Sequence, residues 1–257
     1  MEVTSLNIRS VKAIDIHTHI NHNSSFDANV SMVHHRNIEH LEKLYKACNI
    51  EMAFCSTYSS ILSDKIVVEE NAYLHQLCRE INYLYQWVVI EPHNEQTFLQ
   101  ARHMLNAEKC VGIKLMPGYH NYRTNDKYGR KIFDLASDFG AIVLIHPEKQ
   151  ETDYIVPLAN EYPDVKFIMA HLGDDSYVRA IEGAKHGNVY TDTSGIDSSR
   201  NYVVEYAVER IGSERILFGT DTYAPGFQRG RIEYALISDA DKENILRNNA
   251  LRLFKSL

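Results

Sequence analysis

The stretch "AIVLIHPEKQETDYIVPLANEYPDVKFIMAHLG", residues 141–173, contains two apolar runs that each stop at a histidine, with an amphipathic segment between them. The runs "AIVLI" and "VKFIMA" are apolar almost throughout, the pattern of strands buried on both faces of a parallel sheet. Between them, "DYIVPLANEYP" repeats apolar residues at helical spacing and stops before Pro163, as a crossover helix does. The unit reads strand, helix, strand. Its two strands end at His146 and His171, 25 residues apart.

The same unit recurs on either side. "VKAIDIHTH", "EMAFCSTY", "QWVVIEP", "CVGIKLMP", "NVYTDTSG" and "RILFGTD" bring the strand-like runs to eight, and helix-like patterns separate them. The polar residues near the strand ends are His19, Thr57, Glu91, Lys114, His146, His171, Asp192 and Asp221, with gaps of 38, 34, 23, 32, 25, 21 and 29. Each gap holds one crossover. Eight such units in 257 residues predict a (β/α)8 TIM barrel, which typically needs about 250. An open doubly wound sheet is the rival, but no GxGxxG turn follows the first strand, and polar residues accumulate at nearly every strand end. No low-complexity segment or Pro/Gly/Ser linker divides the chain, so residues 1–257 are expected to form one barrel domain. The longest irregular stretch, "INHNSSFDANVSMVHHR" at 20–36, reads as a candidate lid after strand one.

Composition narrows the function. With 27 Lys+Arg against 34 Asp+Glu the net charge is −7, and no basic cluster with interleaved aromatics marks a nucleic-acid groove. No run approaches the roughly eighteen apolar residues of a membrane span, and the N-terminus lacks an uninterrupted apolar core. A cytoplasmic protein with a small-molecule substrate is expected, with no nucleic-acid or membrane partner and a homodimer left open. Cys48, Cys55, Cys78 and Cys110 form no CxxC pair and read as reduced, mostly buried thiols.

Chemistry concentrates at the strand ends. In "AIDIHTHINH", residues 13–22, Asp15, His17 and His19 share one parity, so a regular strand would point all three the same way. Two imidazoles at i and i+2 can converge on one metal ion; the plain reading is a strand ending in half-wet histidines. "LIHP", "MAHLG" and "FGTD" add His146, His171 and Asp221 at the same rim, the face on which barrel enzymes carry their active sites. A metal centre follows from the five together.

"DIHTH", "LIHP", "AHLG" and "FGTD", in that order, resemble the amidohydrolase superfamily of metal-dependent barrels. "LANEYPDVKFIMAHLG", "NVYTDTSG" and "NILRNNALRLF" resemble its branch containing aminocarboxymuconate-semialdehyde decarboxylase. The resemblance implies His17, His19, His146 and Asp221 as metal ligands, with Asp221 and His171 as catalytic groups. One divalent ion, zinc by default, is expected; two would follow if Lys114 were a carboxylated bridge. The favoured reading of Lys114 is an ammonium that sits at the wet rim or pairs with a substrate carboxylate. Met116 stands where related hydrolases often have histidine. Tyr119 and Arg123, in the loop "GYHNYRTND", are further candidates for gripping substrate. His22, His34 and His35 read as lid or surface residues, and Asp15 as either a partner of an imidazole N–H or a buried carboxylate satisfied by the backbone.

The expected activity is hydrolysis of a small amide, ester or lactone, since a divalent ion lowers the pKa of bound water to about 7 and polarises a carbonyl. The alternative is a metal-dependent, non-oxidative decarboxylase of an aromatic or enoic acid. The compactness of the chain favours hydrolysis, because decarboxylating relatives are usually longer.

Overall fold

A computed structural model describes residues 7–22, 38–147 and 151–254. Eight strands run in chain order around one sheet: β1 (Ala13–Ile20), β2 (Ile50–Thr57), β3 (Leu84–Val89), β4 (Cys110–Leu115), β5 (Ile142–Ile145), β6 (Lys166–Met169), β7 (Val189–Asp192) and β8 (Ile216–Leu217). Every neighbouring pair from β1–β2 to β7–β8 is parallel. Helices fill the connections, including Ile38–Ala47, Lys127–Asp138, Glu151–Glu161 and Val203–Ile211. The molecule is the (β/α)8 barrel that the strand and helix periodicities predict. The proposed lid falls outside the described residues from 23 onward, and so do His34 and His35.

Strand and helix alternate because each strand buries both faces. One set of side chains, including Val143, Ile145, Phe167 and Met169, packs outward into a large core that includes Phe133, Ile155 and Leu158 from the helices. The other set fills the barrel with Ile14, Ile16, Phe54, Trp87, Leu144, Ile168 and Leu217. Phe254 closes that inner cluster from the C-terminal segment, its ring 4.8 Å from Phe54 and 5.7 Å from Trp87. Gly112 makes room for Trp87: a Cβ there would stand 2.7 Å from the indole and 2.2 Å from the Ile142 carbonyl.

β1 is irregular where it pairs with β2. Asp15 pairs with Ala53 and Thr18 with Cys55, so β1 advances three residues while β2 advances two. That extra residue is a β-bulge. It overturns the parity expected for "AIDIHTH". Asp15 points to the outer helix Ile38–Ala47, where the Tyr45 hydroxyl donates to it, whereas His17 and His19 turn to the barrel mouth. Side chains take up the backbone groups at the bulge: Asp15 accepts the His17 N–H at 3.1 Å and Trp87 donates to the Ile16 carbonyl at 2.8 Å.

Candidate metal centre

His17, His19 and Asp221 meet at the C-terminal mouth. Asp221 Oδ1 lies 3.0 Å from His19 Nε2 and 3.5 Å from His17 Nε2. The other ring nitrogens are engaged from behind. His17 Nδ1 is 2.8 Å from Asp192 Oδ2 and 2.9 Å from Ser194 Oγ, and His19 Nδ1 is 2.9 Å from Ser56 Oγ. His19 and Ser56 are register partners on β1 and β2, which explains why a serine there reaches the ring.

Tertiary bonds impose this arrangement on strained backbone. Asp221 and Thr222 have φ of 53° and 64°, a region that costs a non-glycine residue energy unless its surroundings fix it. The fixing is visible: Asp221 N–H donates to the His17 carbonyl at 2.7 Å, and Tyr58 OH donates to the Asp221 carbonyl at 3.2 Å. Thr222 Oγ1 accepts the His19 N–H at 2.8 Å and donates to the His19 carbonyl at 3.0 Å.

A second cluster adjoins the first, made of His17, His171 and Asp192. His171 also has positive φ, 67°, and its N–H donates to Asp192 Oδ1 at 3.1 Å. Its ring stacks on His17 with centroids 5.1 Å apart, and its Nδ1 lies 2.9 Å from Ser194 Oγ. Gly195 admits that ring, since a Cβ there would come within 2.6 Å of His171 Nδ1. His146 belongs to neither cluster; its Nδ1 sits 3.0 Å from His171 Nε2.

Burial controls the charge states. It lowers the His17 pKa to about 3, aided by the nearby Lys114 ammonium, and lowers His146 to about 2, aided by His171. His19 is lowered for the same reason. Neutral imidazoles are the form that can bind metal. Burial opposes ionisation of Asp221, but the His19 hydrogen bond and the imidazoles of His17 and His171 outweigh it and hold the carboxyl below its usual range. The three donors suit a divalent ion. Two atoms each about 2.1 Å from one ion stand roughly 3.0–3.4 Å apart, close to the two spacings from Asp221.

Of the other predicted residues, only Lys114 reaches the cluster. Lys114 is not at a wet rim: it is 1% exposed, with Nζ 2.9 Å from His17 Nε2, because it shares the inward parity of Gly112. Burial lowers its pKa to about 8. Tyr119 is exposed on the loop after β4 and lies near Tyr223, whose hydroxyl pKa is raised by burial first, then by Asp221 and by Tyr119. Arg123 is exposed on the turn that Asp126 caps. His22 is anchored, its Nδ1 2.9 Å from Glu70 and its ring stacked on Tyr73 at 3.4 Å.

Asp15 bonds backbone, not an imidazole, accepting also from Thr220 N–H at 3.0 Å and Thr220 Oγ1 at 2.6 Å. Burial raises its pKa to about 7. The imidazole partner is Asp192, which sequence reasoning placed at the rim without a role. Ser56 and Ser194 were missed. The one available signal was the hydroxyl-rich "TDTSG" closing β7.

The family profile for amidohydrolases matches residues 14–255. A search of curated proteins gave no match. Among solved structures, the chain is similar to 2,6-dihydroxybenzoate decarboxylase from Rhizobium, with 17% identity, TM-score 0.75, and 95% and 98% of the two chains covered. It is similar to 5-carboxyvanillate decarboxylase from Sphingomonas paucimobilis, with 14% identity, TM-score 0.77 and coverages of 96% and 99%. It is also similar to dihydroxybenzoic acid decarboxylase from Polaromonas sp. JS666, solved with manganese and 2-nitroresorcinol, with 15% identity, TM-score 0.74 and coverages of 95% and 96%. At these identities the likeness is one of fold.

Proposed function

The chain belongs to the amidohydrolase family, and from that premise we propose that it is a divalent-metal-dependent, non-oxidative decarboxylase of a small aromatic or enoic acid. The observation that carries the reading is the grouping at the barrel mouth: His17, His19 and Asp221 present metal-type donors, and the hydrogen-bonded His146–His171 pair stands beside them to handle a proton. The named activities of the similar structures support decarboxylation over hydrolysis. Their barrels match this chain end to end, so compactness gives no ground for preferring hydrolysis.

His17, His19 and Asp221 would hold the ion, which when bound polarises a coordinated oxygen. Manganese and zinc both accept imidazole and carboxylate, and the Polaromonas structure carries manganese. In the reaction the bond between the substrate carbon and its carboxylate breaks, the electron pair stays on that carbon, and carbon dioxide leaves. The carbon then takes a proton that originates in solvent and is relayed through the partly exposed His146 ring beside His171. Buried Lys114, beside His17, adds positive charge near the developing carbanion. Tyr119 and Arg123 lie on the loop after β4 as contacts for the remainder of the substrate.

The test is incubation of manganese- and zinc-loaded protein with hydroxybenzoates, enoic acids, lactones and amides. Release of carbon dioxide is expected, with His171→Asn keeping its metal and losing at least ~10²-fold in kcat. Turnover of a lactone or amide without carbon dioxide would replace this reading with hydrolysis.

A further inference from the structure

Asp192 and Ser194, at the end of β7, form a hydrogen-bond system whose proton positions can be worked out one by one. Asp192 Oδ1 receives backbone N–H groups from His171 at 3.1 Å and from Ser194 at 2.8 Å. Amide N–H groups only donate, so this oxygen is an acceptor. Ser194 Oγ lies 2.5 Å from the same oxygen and His17 Nδ1 lies 2.8 Å from Oδ2. A carboxylate surrounded by four such groups is ionised and accepts from all of them.

Two consequences follow in order. The single hydroxyl proton of Ser194 points to Asp192, and His17 carries its proton on Nδ1. Ser194 Oγ is then left with lone pairs only, yet His171 Nδ1 stands 2.9 Å away. His171 must therefore donate from Nδ1, and in the neutral ring Nε2 then carries the lone pair. That lone pair faces His146 Nδ1 at 3.0 Å, so His146 must also carry its proton on Nδ1. Its Nε2 is left with the lone pair.

We propose that Asp192 and Ser194 are positioning residues that fix one tautomer in three histidines at once: Nδ1–H in His17, His171 and, through His171, His146. The bonds make a directed chain, from His146 to His171 to Ser194 to Asp192. It leaves the lone pair on His17 Nε2, which here accepts from Lys114 Nζ at 2.9 Å and which would serve the ion beside Asp221, and leaves His146 Nε2 as the proton-accepting or metal-accepting atom of the partly exposed ring. The rest of the site supports the alignment. His171 is held on left-handed backbone by Asp192, and Gly195 lacks the Cβ that would displace the His171 ring. The consequence for turnover rests on the decarboxylase reading; the tautomers do not.

Nitrogen-15 spectra of the zinc-loaded, ¹⁵N-histidine-labelled protein test the assignment without any substrate. His171 and His146, identified by the signals lost in His171→Asn and His146→Asn, are expected as Nδ1–H tautomers. An Nε2–H tautomer at His171 overturns the proposal, whatever the reaction proves to be. Ser194→Ala should leave His171 as a tautomer mixture and reduce kcat about 10- to 100-fold, the usual effect of removing a group behind a site residue. The ion should stay bound and KM should change less than about twofold. Ser194→Thr, which keeps the hydroxyl, should recover the Nδ1–H signal. Ser194→Ala with an unchanged tautomer and unchanged kcat overturns the proposal. If that variant does not fold, the wild-type spectrum decides alone.

Discussion

β5 and β6 face each other across a regular ladder, whereas β8 and β1 meet across a seam that side chains hold together. In the first pair, Ile142, Val143, Leu144 and Ile145 match Lys166 to Met169 one for one, and of the two histidines beyond them only His171 takes left-handed backbone. In the second, β8 is two residues long, β1 carries a bulge on its other side, against β2, and Asp221 and Thr222 sit on left-handed backbone. A few backbone bonds cross it, including Ile16 N–H to the Phe218 carbonyl at 3.0 Å and Thr220 N–H to the His17 carbonyl at 3.1 Å. Asp15 and Thr222 supply others. The difference shows what a convergent site requires. Two histidines and an aspartate from neighbouring segments cannot all aim at one point from ideal strands, so the ladder gives way and buried polar side chains take over its bonds.

The largest effect should come from the seam's own ligands. His17→Asn is expected to release the ion, with metal affinity falling by more than the 10- to 100-fold seen for residues behind a ligand. Metal analysis after dialysis measures it. A variant that keeps one tightly bound equivalent would show that the seam is not the metal centre.

Next is a paired comparison of stability. Asp15→Ala strands four donors, two backbone N–H groups and two hydroxyls, and should destabilise by about 3 kcal/mol. It should also weaken metal binding, because His17 and the segment leading to Asp221 lose their common anchor. Val143→Ala, in the regular ladder, should cost about 2 kcal/mol through its cavity and leave metal binding unchanged. Urea unfolding and metal titration of both variants check the contrast. Equal metal affinity in the two would remove the link between seam and site.

The smallest effect belongs to the bulge itself. Trp87→Phe leaves the Ile16 carbonyl without its indole donor and should cost about 1–2 kcal/mol, with one equivalent of metal still bound. A loss within experimental error would mean that water replaces the indole and the bulge stands without it.

Much of this was legible in the chain. Apolar runs such as "AIVLI", separated by helix-period segments, specify strand and crossover because both are local periodicities. The order of the strand ends carried His17, His19, His146, His171 and Asp221 to one rim for the same reason. Lys114 was misplaced although Gly112, two residues before it on β4, shares its parity: how deeply that face is buried depends on packing from other strands, as where Trp87 of β3 meets Gly112. Asp192 and Ser194 carried no signal of their purpose, because the rings they serve come from β1 and β6, 175 and 23 residues away.

By itself, then, the sequence determined a barrel with a ring of ligand-type residues at its mouth, since strand parity, helix period and crossover length are properties of neighbouring residues. Only the tertiary structure decided that Asp15 faces outward while His17 and His19 face in, since one extra residue in β1 appears only when its register against β2 is known. It likewise decided which nitrogen of each histidine is engaged. Hydrogen-bond partners brought together across the closed barrel govern that choice, and no periodicity along the chain encodes them.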